Sequence, residues 1–375
     1  MHKLKASISN TPAFILDLDQ VNANLQPLKH LRQATDCKVL YSMKALPLSG
    51  LLKALVGQVD GISVSSLNEA RLAREVFADP ASLHLTTPGL RPDEFKQIDG
   101  LYSHISFNSL SQYQRFKDQT LNASKGLRIN PKLSFADDER YDPCRKYSKL
   151  GVNIHELSAG LPTDVEGLHL HTVFSQTDFK PLQQTLNALH PLLSRQTHLK
   201  WLNLGGGYLF HSIADLTPLI TLIQQLNQQC IPDIYLEPGK ALVGNAGYLL
   251  TTVLDRFLSD GKTVLILDTS VNHHPEVFEY QLKPALLDED PQGTKSAILA
   301  GSTCLAGDLF GEYRFKQLPE VGEKLVFADV GAYSLIKASR FNGYALPAVY
   351  FWKEGGVRLL KNEDYADYRE QWCSE

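Results

Sequence analysis

The chain has 375 residues, 43% hydrophobic and 21% charged, with a formal net charge of -4. That length holds one large barrel and a smaller domain, and a charge so near neutrality gives no electrostatic footprint for nucleic acid or an anionic membrane surface. The first ten residues lack the apolar core of a signal peptide and no later run approaches the roughly 18 apolar residues of a membrane helix, so a cytoplasmic protein with a small-molecule ligand is expected.

In chain order, residues 12–18 are β-like and precede the first helix, a candidate to cross over and join a C-terminal sheet. Short apolar runs at 38–42, 61–64, 83–86, 104–107, 126–129, 167–170, 201–204 and 234–236 then read as eight strands. Helical stretches separate them. Ser66-Leu-Asn-Glu69 opens one with capping-box spacing, and Asn108-Ser-Leu-Ser-Gln offers side-chain caps to another. Eight strands alternating with helices predict a closed (β/α)8 barrel with right-handed crossovers. The long stretch from 131 to 152 reads as a functional loop over the barrel mouth. After Gly239 the strands at 248–255, 263–268, 296–300, 324–328, 345–352 and 357–360 follow without long helices, which predicts an antiparallel β domain. The expected division is a barrel at 20–243 and a second domain from 1–19 with 244–375. No internal repeat or low-complexity segment is present.

Active sites of this fold collect at the C-terminal strand ends, with phosphate groups favouring the loops after strands 7 and 8. Lys44, in Tyr41-Ser-Met-Lys-Ala45, closes the first strand, where an amine can condense with a carbonyl cofactor. A lysine that merely snorkels to solvent is the plain alternative. Strand 7 runs into Gly205-Gly206-Gly207, whose backbone N–H groups can approach an anion, although a sharp strand-to-helix turn explains a glycine triplet as well. Strand 8 runs into Glu237-Pro238-Gly239. Closure puts strand 8 beside strand 1, so amine, carboxylate and glycine loop share one mouth. Together they are the parts that hold pyridoxal 5'-phosphate: Lys44 on the carbonyl, the glycines on the phosphate, Glu237 keeping the ring nitrogen protonated. His169 and His171 share a strand face, which leaves a zinc hydrolase as a rival. Against it, no other His or Asp cluster stands at the strand ends, and Lys44 would have no role. His171, nearer the mouth, suits a place against the pyridine face. The five cysteines, Cys37, Cys144, Cys230, Cys304 and Cys373, show no paired spacing, so neither disulfides nor a zinc ribbon are expected.

Lys44 in its setting, Leu127-Arg128-Ile-Asn-Pro131, Ser148-Lys-Leu-Gly151, His171, Gly205–Gly207, Glu237-Pro-Gly239, Cys304-Leu-Ala-Gly-Asp308 and Phe341-Asn-Gly343 resemble the fold type III pyridoxal phosphate decarboxylases of basic amino acids, a group with an alanine racemase-like fold. Asp268-Thr-Ser270, with His274-Pro-Glu276 and the cysteine motif, is most similar to the carboxynorspermidine (carboxyspermidine) decarboxylases, which release norspermidine or spermidine. The resemblance implies a homodimer with shared sites. In it Cys304 reaches the partner's barrel and protonates Cα after loss of the carboxylate, and Asp308 positions cofactor or substrate. Tyr333 matches a tyrosine that reaches the cofactor phosphate, and Arg128 an arginine that orients groups near the ring, with a structural salt bridge as its alternative. Asp268 and Glu276 fall on the substrate side.

Two positions depart from that pattern. After His171 the family continues with cysteine and glutamate, where this chain has Phe174-Ser175, and after Glu-Pro-Gly it carries a second glutamate, where this chain has Lys240. Both changes remove negative charge near a site for a polyamine cation, so a substrate with an anionic tail stays open. So do a racemase and a non-catalytic homologue that binds a partner protein. Glu237 rather than an arginine at the ring nitrogen speaks against the first, and retention of Lys44, Glu237 and Cys304 against the second.

Overall fold

The computed structural model describes residues 2–77, 81–136, 138–196, 198–228 and 231–373, with Cys230 outside them. The chain forms two compact units, Asn24–Ala241 and Met1–Ala23 together with Leu242–Glu375. The first strand, β1 (Ala13–Asp17), belongs to the second of these.

The unit Asn24–Ala241 contains β2 (Lys38–Ser42), β3 (Gly61–Val64), β4 (Ser82–Thr87), β5 (His104–Phe107), β6 (Ser124–Asn130), β7 (Val152–Asn153), β8 (Gly167–Leu170), β9 (Trp201–Asn203) and β10 (Asp233–Leu236). All pairings are parallel, and the order β2-β3-β4-β5-β6-β8-β9-β10 returns to β2, which closes the barrel. The eight barrel strands are those expected from the apolar runs. Each is buried through its middle, and all but β4 along most of their length, as expected of parallel strands covered by helices. The two-residue β7 pairs only with β6 and ends the long connection after Asn130. Asn108 pins that connection: its Nδ2 donates to the Lys149 carbonyl at 2.8 Å, and its Oδ1 accepts from the Gly151 N–H at 2.9 Å.

Caps start the helices where the spacing placed them. Ser66 Oγ accepts from the Glu69 N–H at 3.2 Å, and Ser109 Oγ from the Gln112 N–H at 3.0 Å. The reciprocal half of the first box is displaced by one residue, because Glu69 Oε2 accepts from the Ser65 N–H at 2.6 Å. The floor of the barrel is filled by one large side chain. A Cβ on Gly126 or Gly167 would stand 2.3 or 1.9 Å from the Trp201 indole, so only glycine leaves it room. The indole N–H donates to Ser124 Oγ at 2.8 Å. Leu40, Trp201 and Tyr235 pack together there, with His84 and His104 stacked at a centroid distance of 4.0 Å.

The other unit is an eight-stranded sheet built from β1, β11 (Gly247–Ser259), β12 (Lys262–Leu267), β13 (Lys295–Ala300), β14 (Leu309–Phe315), β15 (Lys324–Phe327), β16 (Ala348–Lys353) and β17 (Gly356–Lys361). Its order is β14-β13-β12-β11-β1-β16-β17, with β15 on β11. The pairings are antiparallel except β1 with β16 and β12 with β13, which makes the sheet mixed. Strand β14 was not visible in the sequence, since Gly311, Glu312 and Arg314 interrupt its apolar alternation. Leu4, Ile8, Ile15, Leu250, Val326 and Tyr350 form a core beneath β1. Among the described residues no helix is long and apolar enough to cross a membrane.

Candidate active site

The C-terminal ends of the barrel strands gather Lys44, Arg128, His171, Ser175, Gly205–Gly207, Glu237, Gly239 and Lys240 into one unit. Register explains part of this. Arg128, His169 and Asn203 are direct partners across β6, β8 and β9, so they form one row just below the mouth.

Lys44 lies in the 3-10 turn Met43–Ala45 that follows β2. Its side chain is exposed at the mouth. The surrounding protein nevertheless displaces enough water to lower its pKa, and the Arg128 guanidinium adds to this while Glu237 and Glu69 oppose it. The Lys44 turn is fastened to the strand-8 turn: the Ser42 N–H donates to the Pro238 carbonyl at 3.0 Å. A Cβ on Gly239 would lie 3.1 Å from both Ala45 and Ser42, so a larger residue would push the two turns apart.

Glu237 is 7% exposed and both of its oxygens are engaged. Asn203 Nδ2 donates to Oε1 at 2.7 Å, and His169 Nε2 lies 3.2 Å from Oε2. Burial alone would raise the carboxyl pKa, but His169 and Asn203 hold it well below the usual range. Burial also lowers the pKa of His169, so the pair is an anionic carboxylate with a neutral imidazole whose Nε2–H donates. His169 Nδ1 then has no partner among the described residues. Asn203 was missed in the sequence. Its signal was an amide inside the apolar run Trp201-Leu-Asn-Leu204, two residues ahead of the glycines.

The glycine loop is shaped first by close backbone packing. Cβ atoms at Gly205, Gly206 and Gly207 would fall 2.0, 2.2 and 2.3 Å from the carbonyl oxygens of Leu170, Glu237 and Val173. The Gly205 N–H donates to Asn203 Oδ1 at 2.9 Å and the Gly206 N–H to His171 Nδ1 at 3.2 Å. Among the described residues the Gly207 N–H has no hydrogen-bond partner, which leaves it for an anion. Burial and the charges of Lys44 and Arg128 press the His171 pKa well below its ordinary value, so the ring is neutral with Nδ1 as acceptor. Arg128, buried within that row, donates to the His171 carbonyl at 3.4 Å, and no ion pair from it is present among the described residues.

At the rim, Phe174 stacks on Tyr141 of the long connection at 4.4 Å and 15°, and Lys240 Nζ lies 5.2 Å from the Phe174 ring centre. Ser175 is in the left-handed region (φ 53°), with its buried hydroxyl unpartnered among the described residues.

Cys304, Asp308, Asp268, Glu276 and Tyr333 lie in the sheet unit. Cys304 is exposed, and its N–H donates to Asn342 Oδ1 at 2.7 Å. Asp308 is buried and its carboxylate ties its own loop together: Oδ1 accepts from the Val271 N–H at 2.8 Å, and Oδ2 from the N–H and hydroxyl of Thr303 at 3.1 and 2.5 Å. Asp268 accepts from the hydroxyls of Thr11 and Thr251 and from the Thr252 N–H. Tyr333 has φ 60°, and burial, with Glu276 and Tyr280 adding, pushes its phenol up to about 12. Among the described residues no cluster of three His, Cys, Asp or Glu side chains could hold a metal ion.

A lysine amine of lowered pKa, a carboxylate held anionic, a neutral imidazole and an available N–H in one barrel mouth fit pyridoxal phosphate. The barrel and the separate sheet define a fold type III pyridoxal-phosphate enzyme. The chain belongs to the pyridoxal-dependent decarboxylase family, whose model, described as pyridoxal-dependent decarboxylase, C-terminal sheet domain, matches residues 14–331. It is 34% identical to the carboxyaminopropylagmatine decarboxylase of Synechocystis sp., over 96% of this chain and 95% of that one. It is 32% identical to the carboxynorspermidine/carboxyspermidine decarboxylase of Campylobacter jejuni, over 96% and 97%. The crystal structure of carboxynorspermidine decarboxylase from Campylobacter jejuni complexed with norspermidine superposes with a TM-score of 0.88 at 29% identity, covering 97% of this chain and 100% of that one.

Proposed function

We propose that this decarboxylase removes the α-carboxylate of a carboxylated polyamine, with carboxynorspermidine or carboxyspermidine as substrate and norspermidine or spermidine as product. The observation that carries the reading is the pairing, in one mouth, of a Lys44 amine with lowered pKa and a Glu237 carboxylate held anionic by two donors. Names of the relatives support the substrate class.

In this reading Lys44 holds the cofactor aldehyde, Glu237 the ring nitrogen, His171 a ring face, and the Gly205–Gly207 loop with Gly239 and Tyr333 the phosphate end. When bound, pyridoxal phosphate supplies an electron-withdrawing ring that takes up the electron pair left at Cα by the departing carboxylate. The neutral Lys44 amine is the form that can act as a nucleophile, and its lowered pKa increases that fraction at neutral pH. Arg128 supports the wall behind His171. Ser175, Lys240, Asp268, Glu276 and Asp308 fall on the substrate side, directly or by shaping its loops. Cys304 returns the proton to Cα from the partner subunit of a cytoplasmic homodimer.

Product analysis by mass spectrometry tests the assignment, with cofactor-loaded protein offered carboxynorspermidine, carboxyspermidine, carboxyaminopropylagmatine and diaminopimelate in parallel. Norspermidine or spermidine among the products upholds it. Turnover of diaminopimelate alone would replace it with an anionic-tail substrate, and turnover of the agmatine derivative alone would move it to a guanidinium tail.

A further inference from the structure

We propose that Asn203 is a positioning residue that locks the Glu237 carboxylate to the glycine turn, so that the subsites for ring nitrogen and phosphate form one rigid piece. The proposal rests on the reading of this mouth as a pyridoxal phosphate site.

Asn203 is fully buried, and its amide is committed at both ends. Oδ1 accepts from the Gly205 N–H two residues on, while Nδ2 donates to Glu237 Oε1. This orientation is the only consistent one. A flipped amide would set NH2 against the Gly205 N–H and oxygen against a carboxylate. The backbone repeats the connection, since the Glu237 N–H donates to the Gly205 carbonyl at 2.8 Å. A Cβ at Gly206 would also collide with the Glu237 carbonyl oxygen at 2.2 Å. His169 takes the other carboxylate oxygen, so Glu237 has one donor on each oxygen and keeps acceptor capacity for a third. Aspartate could not do both jobs. It would preserve the turn but set a second carboxylate against Glu237, and two carboxylates at that range cannot both ionise.

The two bonds of Asn203 can be separated experimentally. Serine or aspartate at 203 can still accept from the i+2 N–H, as Asx- and ST-turns do, but neither offers the amide donor to Glu237. We would prepare Asn203→Ser, Asn203→Asp and Asn203→Ala. For each, the measurements are the dissociation constant for pyridoxal phosphate, the phosphorus-31 resonance of the bound cofactor and its near-ultraviolet and visible absorption against pH.

For the serine and aspartate variants the phosphorus signal should stay at its wild-type position. The absorption should shift and become pH-dependent, and the dissociation constant should rise about tenfold, the worth of one hydrogen bond to a charged group. The alanine variant should move both signals. Wild-type absorption and affinity in the serine variant would overturn the proposal, as would phosphorus and absorption signals that move together there, which would confine Asn203 to the turn. The serine variant introduces no buried charge and keeps the test open where the aspartate variant does not fold. Glu237→Gln is run in parallel. If it leaves the absorption unchanged, the reading of Glu237 itself fails. If it shifts the absorption while the serine and aspartate variants do not, only the coupling fails.

Discussion

The Gly206 N–H donates to Nδ1 of His171 at 3.2 Å, so the backbone of the glycine loop selects the tautomer of the imidazole at the barrel mouth. Protonating Nδ1 would turn that acceptor into a donor facing another donor. Burial and the cations Lys44 and Arg128 oppose the same protonation. Nitrogen-15 spectra of histidine-labelled protein should therefore show, at pH 6, a neutral His171 with its proton on Nε2. An imidazolium at that pH would refute the assignment.

Acid should destabilise the fold well before the carboxylates titrate. His104 and His273 are held down to about 4, chiefly by burial, against 6.5 in the unfolded chain. Below 6.5 the unfolded state binds the extra proton, so stability falls as pH drops and is regained as pH rises through 6.5. At pH 5 each histidine costs about 2 kcal/mol relative to pH 8. Urea unfolding at pH 5, 6 and 8 should follow this slope, and His104→Phe should flatten part of it. A stability that is level from pH 8 to 5 would contradict the burial of neutral imidazoles.

Asp308 should matter to the protein even without ligand. Its buried carboxylate takes two backbone N–H groups and one hydroxyl. Asp308→Ala leaves those N–H groups unsatisfied at a cost of about 2–4 kcal/mol, which thermal or urea unfolding of the cofactor-free protein would reveal. Unchanged stability with lost activity would instead give Asp308 a direct role toward substrate.

Cys304 and Asn342 should fail together. Removing the thiol with Cys304→Ala should leave decarboxylation slow or yield an aberrant carbonyl product. Asn342→Gly keeps the left-handed backbone (φ 57°) but drops the bond to the Cys304 N–H, worth about 1 kcal/mol. A milder version of the same product defect is expected by mass spectrometry. Normal amine at the normal rate from Cys304→Ala would remove the cysteine from the mechanism.

Lys240 places a cation over Phe174, at the position where the sequence resemblance implies a glutamate. Lys240→Glu should raise kcat/KM for cationic-tailed substrates relative to diaminopimelate by about tenfold, the scale of a charge reversal at an effective dielectric near 20 with partial screening. Equal ratios in variant and wild type would show that Lys240 does not face the tail.

The barrel was legible because each of its strands is a short apolar run bounded by turn residues, and closure then brought Lys44 beside Glu237. The supporting network was not. Asn203 and His169 reach Glu237 from strands 34 and 68 residues away in sequence, and a single amide in an apolar strand does not announce its partner. The glycine triplet supported two readings, and its packing against Leu170, Glu237 and Val173 shows that the tight turn is a requirement whatever the ligand. In the sheet, the alternation of β14 was masked by Gly311 and by Glu312, whose carboxylate pairs with Lys262 on the solvent side.

Trp201 gives the barrel an intrinsic optical label. The chain has three tryptophans, and Trp352 and Trp372 both belong to the sheet unit. Trp201 is 1% exposed, whereas Trp372 is 65% exposed. Emission from a dry indole lies to the blue of emission from a wet one, and since Trp352 packs partly buried against the sheet core, it is in a Trp352→Phe variant that the short-wavelength edge of the fluorescence follows the barrel floor. Loss of that edge during denaturation times the opening of one unit independently of the other, without any attached dye.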